Sequence, residues 1–205
     1  MKLPTSKGLA LALCLLSISA CGGRTGRIKD SNEPMGVDRQ RGGTAVYDEI
    51  MADTLEKLLA LHRRQMNVQK EGGYLVAVVG IDTLGAEELR DHKPAMYDKI
   101  EEVLLNSGLY KMISMRFVDR ARVEAGMTQT EDLFIAKYRQ AFLSNLSREG
   151  LSPDYLIWGK MTTQTSSVTK NITERRYRLS LEMIDSRSGQ LVAKESGERT
   201  KEYKN

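Results

Sequence analysis

Apolar residues recur along this chain at spacings that change from segment to segment, and each spacing predicts an element. Val46, Ile50, Met51, Leu55, Leu58, Leu59 and His62 fall at three- and four-residue steps, the period of one helix face, and predict a helix from Ala45 to Met66. Gly72-Gly73 interrupt the pattern. Tyr74 to Ile81 (YLVAVVGI) is then nearly continuous in apolar residues, as in a strand covered on both faces. Pro94 suits the first position of a helix that buries Met96, Ile100, Val103 and Leu104 and stops at Asn106-Ser107-Gly108, with Gly108 as its cap. Leu109 to Ser114 predicts a short strand, Phe117 to Gly126 a helical turn, and Glu131 to Ser147 a long helix with Ile135, Tyr138, Phe142 and Leu146 on one side.

After a turn at Ser152-Pro153-Asp154 the period becomes two. Tyr155 to Trp158 opens a strand that runs into the polar tract Thr162 to Thr169. Tyr177, Leu179, Leu181 and Met183 alternate with Arg176, Arg178, Ser180 and Glu182, the signature of a half-buried antiparallel strand. Ser186-Arg187-Ser188-Gly189 predicts a hairpin turn, and Gln190 to Gly197 its partner strand. Helices interleaved with strands, followed by a meander, predict an α/β or α+β fold with a mixed sheet, helices packed on it and a C-terminal antiparallel β-meander. Residues 45–205 suffice for one core, and there is no internal repeat.

The N-terminal segment follows different rules. Met1-Lys2 and Lys7 give a positive start, Gly8 to Leu16 is apolar, and Ile18-Ser19-Ala20 precedes Cys21. This is the layout of a secretory signal, too short for a permanent span. The small residues before Cys21 resemble a bacterial lipobox, in which the cysteine is acylated and becomes the new N-terminus. Residues 1–20 are therefore expected to be removed and Cys21 to carry lipid, each buried methylene adding about 0.8 kcal/mol of membrane affinity. Gly22 at the next position points to the outer rather than the inner membrane. Residues 21–44 are rich in Gly, Arg, Asp, Ser and Asn and predict a flexible tether, with a reach of roughly 75–80 Å at full stretch.

Composition narrows the chemistry. Of 205 residues, 31 are Lys or Arg and 27 Asp or Glu, a net charge of +4 that falls by two once Lys2 and Lys7 leave. That is too mild for nucleic-acid binding. Two cysteines, one in the signal and one lipidated, leave no thiol nucleophile or disulfide. No phosphate-binding Gly-rich loop and no Gly-x-Ser-x-Gly occur. His62 and His92, thirty residues apart, do not make a zinc pair. His62 belongs to the apolar side of its helix, and His92 to a capping or solvated position. The adjacent acids Glu87-Glu88 and Glu101-Glu102 point different ways on a helix and cannot flank a glycosidic bond. No cofactor, metal or catalytic group is expected.

Candidate partner chemistry lies in the meander. Arg175, Arg176 and Arg178, with Lys160 and Lys170, could form a basic strip on an exposed sheet face. Lys160, Arg176 and Arg178 are the candidate contacts to an acidic partner, against the alternative of a solvated face that discourages edge pairing. The Thr162 to Thr169 tract reads either as an edge for strand addition or as a long flexible hairpin. Trp158 reads first as a core anchor and second as a recognition platform.

These features together resemble the LpoB family of penicillin-binding protein activators. The resemblance rests on the lipobox, the tether, Ala77-Val78-Val79-Gly80-Ile81, the helix ending Asn106-Ser107-Gly108-Leu109-Tyr110-Lys111, and Val118-Asp119-Arg120. It extends through Asp154-Tyr155-Leu156-Ile157-Trp158-Gly159 to Tyr177–Asp185, Ser188-Gly189 and Leu191-Val192. It covers about residues 70–203 and implies a domain similar to the CsgG and TolB amino-terminal folds. It also implies a non-enzymatic outer-membrane lipoprotein that binds a bifunctional, class A penicillin-binding protein and stimulates peptidoglycan synthesis. Two departures stand out: the tether has one proline, Pro34, where relatives carry a long Pro-rich one, and Asp82-Thr83-Leu84-Gly85 replaces an Asn-rich segment. The alternative is a CsgG-like structural or secretion role, which the Thr- and Ser-rich first half of Met161–Ile184 disfavours as a lipid-facing hairpin.

Overall fold

The computed structural model describes residues 26–29, 45–66, 70–84, 92–169 and 172–204. The signal segment, Cys21, Glu87-Glu88, Lys170 and most of the tether lie outside them.

Six strands form one mixed sheet in the order β1-β6-β5-β4-β2-β3. β2 (Tyr74–Leu84) runs parallel to β3 (Tyr110–Met112) on one side and to β4 (Tyr155–Thr169) on the other. β4, β5 (Ile172–Asp185) and β6 (Leu191–Lys204) make the antiparallel meander. The helices α1 (Ala45–Gln65) and α2 (Lys93–Asn106) cover one face of the sheet. The other face carries α3 (Met115–Glu124), a 3-10 turn (Thr130–Phe134) and α4 (Ala136–Arg148).

Strand periodicity assigns each side chain to a face. Tyr177, Leu179, Leu181 and Met183 join Val46, Ile50, Met51 and Leu55 of α1 in the first core. Ala77, Val79, Leu156, Trp158 and Ile184 join Val118, Phe142 and Leu146 in the second. A register shift between Val78 and Gly80 makes Val79 an extra residue on β2, a bulge that lets Val78 and Ile81 face the same core.

Several expectations need correction. Gly26–Lys29, within the expected tether, forms β1, antiparallel to β6 from Gly26↔Tyr203 to Lys29↔Thr200. A polar composition argues against side-chain burial, but it does not prevent four residues from pairing with the backbone of an edge strand. The helix expected from Glu131 is broken at Ile135, which is extended at φ −84°, ψ 116°. The break draws Leu133 fully into the second core, from a position opposite the Ile135/Tyr138/Phe142 side. Ile135 is left 51% exposed. Pro94 occupies the second rather than the first helical position of α2, whereas Gly108, at φ +67° just after Ser107, ends that helix as expected.

The final hairpin is held by one carboxylate. Asp185 Oδ1 accepts from Arg187 N (3.1 Å), Ser188 N (2.7 Å) and Ser188 Oγ (2.8 Å). Asp154 locks the start of β4 to β2, its Oδ2 accepting from Leu75 N at 2.9 Å and from Lys70 Nζ at 2.8 Å.

Candidate functional site

The helices of the second face pack over β2 and the start of β4, and beyond them the meander turns a polar face outward. Three ladders cross it. Trp158, Glu182 and Lys194 form the first, Lys160, Ser180 and Ser196 the second, and Thr162, Arg178 and Glu198 the third. Lys160, Thr162, Arg178, Ser180, Lys194 and Ser196 line a cavity of about 300 Å³ with no carboxylate in its wall.

The sequence placed Lys160, Arg176 and Arg178 in one strip, and the structure puts all three on this face. Arg176 Nε pairs with Glu198 at 3.2 Å and Lys160 with Glu131 at 3.6 Å. Lys194, which sequence reasoning missed, pairs with Glu182. Glu198 lies across from Arg178 but pairs with Arg176. Among the described residues Arg178 is the cation on this face with no ion pair. Arg175 is corrected: as the neighbour of Arg176 and two residues from buried Tyr177, it alternates to the opposite face.

An aromatic shelf adjoins the cavity. Trp158, 9% exposed, is the core anchor expected for it, and its Nε1 donates to Glu182 Oε2 at 3.1 Å. The Phe134 ring meets Trp158 edge-on at 5.2 Å and is itself 46% exposed, beside exposed Ile135. Glu131, the partner of Lys160, belongs to the same 3-10 turn as Phe134. The polar tract of β4 stays paired with β5 to Thr169↔Ile172, whereas its pairing with β2 stops at Thr162↔Leu84. The paired strands project past the parallel ones, with a register shift between Ser167 and Thr169.

Other polar groups are tied into the architecture. His62 is buried, its Nδ1 lies 2.7 Å from the Tyr110 hydroxyl, and its ring packs against Tyr74 and Tyr155. Burial pushes the His62 imidazole below its ordinary value and the Tyr110 phenol up to about 12. His92 stands at the N-cap of α2 without a side-chain capping bond, its ring 5.1 Å from Tyr47. Glu101 and Glu102 are exposed, and Glu102 pairs with Lys99. A second polar cleft of about 430 Å³ lies at the end of β2, between Asp82, Lys93, Arg122 and Glu131. There Thr130 Oγ1 donates to Asp82 Oδ1 at 2.8 Å. The N–H groups of Gln129 and Thr128 hold the Asp132 carboxyl below the usual range. Among the described residues no three His, Cys, Asp or Glu side chains are grouped to hold a metal ion, and no helix is long and apolar enough to cross a membrane.

A mixed sheet with one half-covered, charged face beside an aromatic shelf defines an α+β domain whose buried His62 and neighbouring tyrosines are tied into the core. The family comparison gives this class its particular form. The family model of the peptidoglycan-synthase activator LpoB matches residues 52–198, and the chain belongs to that family. Among solved structures it is similar to the LpoB C-terminal domain from Salmonella enterica, at 14% identity and a TM-score of 0.46 over 74% of this chain and 96% of that one. The LpoB C-terminal domain from Escherichia coli aligns at 15% identity and a TM-score of 0.45, covering 75% and 96%. A lipoprotein from Neisseria meningitidis aligns at 15% and 0.46, covering 62% and 82%. No curated protein sequence matches the chain.

Proposed function

We propose that this protein is a lipid-anchored regulator at the periplasmic face of the outer membrane that binds a class A penicillin-binding protein and raises its synthesis of peptidoglycan. It catalyses no step itself. The observation that carries this reading is the family match over residues 52–198, which spans the domain from α1 to β6. The polar, half-covered face with Lys160, Arg176 and Arg178 supports it as a surface on which a partner could be held. Stimulation requires that the regulator bind the active conformation of the synthase more tightly than the idle one; a tenfold preference corresponds to about 1.4 kcal/mol. Anchoring is ascribed to Cys21, on the strength of the signal-like run before it.

Adding the purified protein to the class A synthase of the same organism should increase glycan polymerisation several-fold at saturation. An unchanged rate with a synthase active on its own would overturn the reading. Cys21→Ala should move the protein from the membrane to the soluble fraction, and retention in the membrane would remove the lipid anchor from the proposal.

A further inference from the structure

The cavity between Lys160, Arg178 and Lys194 and the shelf made by Phe134 and Ile135 form one continuous surface. Phe134 touches Trp158, and Trp158 donates to Glu182, whose other oxygen accepts from Lys194 in the cavity wall. Trp158 and Lys160 are two residues apart on β4, so they face the same way about 7 Å apart. We propose that this composite surface holds a protein segment presenting one carboxylate beside a large apolar side chain, the carboxylate entering the cavity onto Arg178 and the apolar group covering Phe134 and Ile135. The inference rests on the partner-binding reading above and adds to it the chemistry of the partner's contact.

Charge counting selects one carboxylate. Lys160, Arg176 and Lys194 each have an acid in place, Glu131, Glu198 and Glu182 respectively. Arg178 alone has none among the described residues, and its guanidinium can take a carboxylate through two parallel N–H donors. The hydroxyls of Thr162 and Ser180 in the same wall, the latter accepting from Ser196 Oγ at 3.3 Å, can donate to any oxygen left over. The exposed apolar pair explains the second half of the ligand, because a half-exposed Phe against a buried Trp is the arrangement of an interface anchor. An anionic lipid surface fits less well. The three glutamates interspersed with the cations would face its phosphates, and one surplus charge yields little membrane affinity.

The test uses the full chain in a non-ionic detergent and measures its binding to the class A synthase. Arg178→Gln with Lys194→Gln, and separately Phe134→Ser, should each weaken binding at least tenfold. Lys57→Gln, on the exposed side of α1, should leave it unchanged. All these positions are exposed, and an unchanged near-ultraviolet circular dichroism spectrum will confirm that the variants fold. If the synthase binds and the face variants bind as tightly as the parent, the composite site is wrong and the regulatory reading stands. If the parent does not bind the synthase, the regulatory reading falls, and the site is judged by peptide. Trp158 is the chain's single tryptophan and reports on the site directly. A capped Leu-Glu-Phe peptide should shift its fluorescence, whereas the Leu-Gln-Phe peptide, or Arg178→Gln protein, should show at least a tenfold weaker response. Equal responses to both peptides overturn the site. So does binding to phosphatidylglycerol vesicles that is lost in the double variant, which would assign the face to membrane.

Discussion

Two positions show how narrowly single residues fix this domain. A Cβ on Gly197 of β6 would lie 2.2 Å from Thr54 Oγ1 and 3.3 Å from Ile50 of α1. The glycine sets how closely helix and sheet approach. Gly197→Ala should cost about 1–3 kcal/mol through overpacking, and Thr54→Ala in the same chain should restore part of it, as measured by urea unfolding. His62 makes stability depend on pH. Because burial holds its folded value below the ordinary 6.5, the unfolded chain takes up the proton first on acidification. The stabilisation is therefore complete above pH 6.5 and is lost progressively as pH falls below it. The urea midpoint should drop between pH 7.5 and pH 5, and His62→Gln should flatten that part of the curve. The charged face was partly legible at this scale. Lys160, Arg176 and Arg178 could be read from the alternation around Leu179 and Leu181. Lys194 could not, because its place beside Lys160 depends on a strand register that the hairpin turn and the bulge near Met183 set jointly.

Among the elements, those with a strong side-chain period were read closely: α1, β2, α2 and the turn between β5 and β6 stand near where the spacing put them, although β6 runs to Lys204, seven residues beyond the expected end at Gly197. The failures have a common cause. β1 has no apolar period in its sequence, Gly26-Arg27-Ile28-Lys29, and its place is set by pairing with β6 in the register shown. The break at Ile135 follows from the pull of Leu133 toward Phe142 and Val118, a tertiary contact that overrides a helical period of three and four. Ile135 therefore read as helix core and emerged as surface, with Phe134 exposed beside it. The pairing of β1 makes its own prediction. A chain lacking residues 22–44 should fold, with amide exchange accelerated at Thr200–Tyr203 and unchanged in β2. Unchanged exchange at β6 would mean that β1 adds no protection to that edge.

At the scale of the whole molecule, the mixed sheet and the antiparallel meander were legible as a fold class, while the parallel pairing of β2 with its two neighbours was not. Parallel β2–β4 contacts join residues about eighty positions apart, and no local spacing encodes them. The same topology governs the order of assembly. The apolar stripe of α1, from Val46 to Leu59, is covered by α2 and by β5 and β6, the last two strands of the chain. β1 finds its only described neighbour more than 170 residues downstream. A polypeptide delivered N-terminus first can pack this helix on α2 early, but the part of the stripe that faces β6 stays uncovered until the last strand arrives. Such distant pairings slow folding relative to a domain built on local contacts, and the uncovered part of the stripe is open to other apolar surfaces for as long as the last strand is missing.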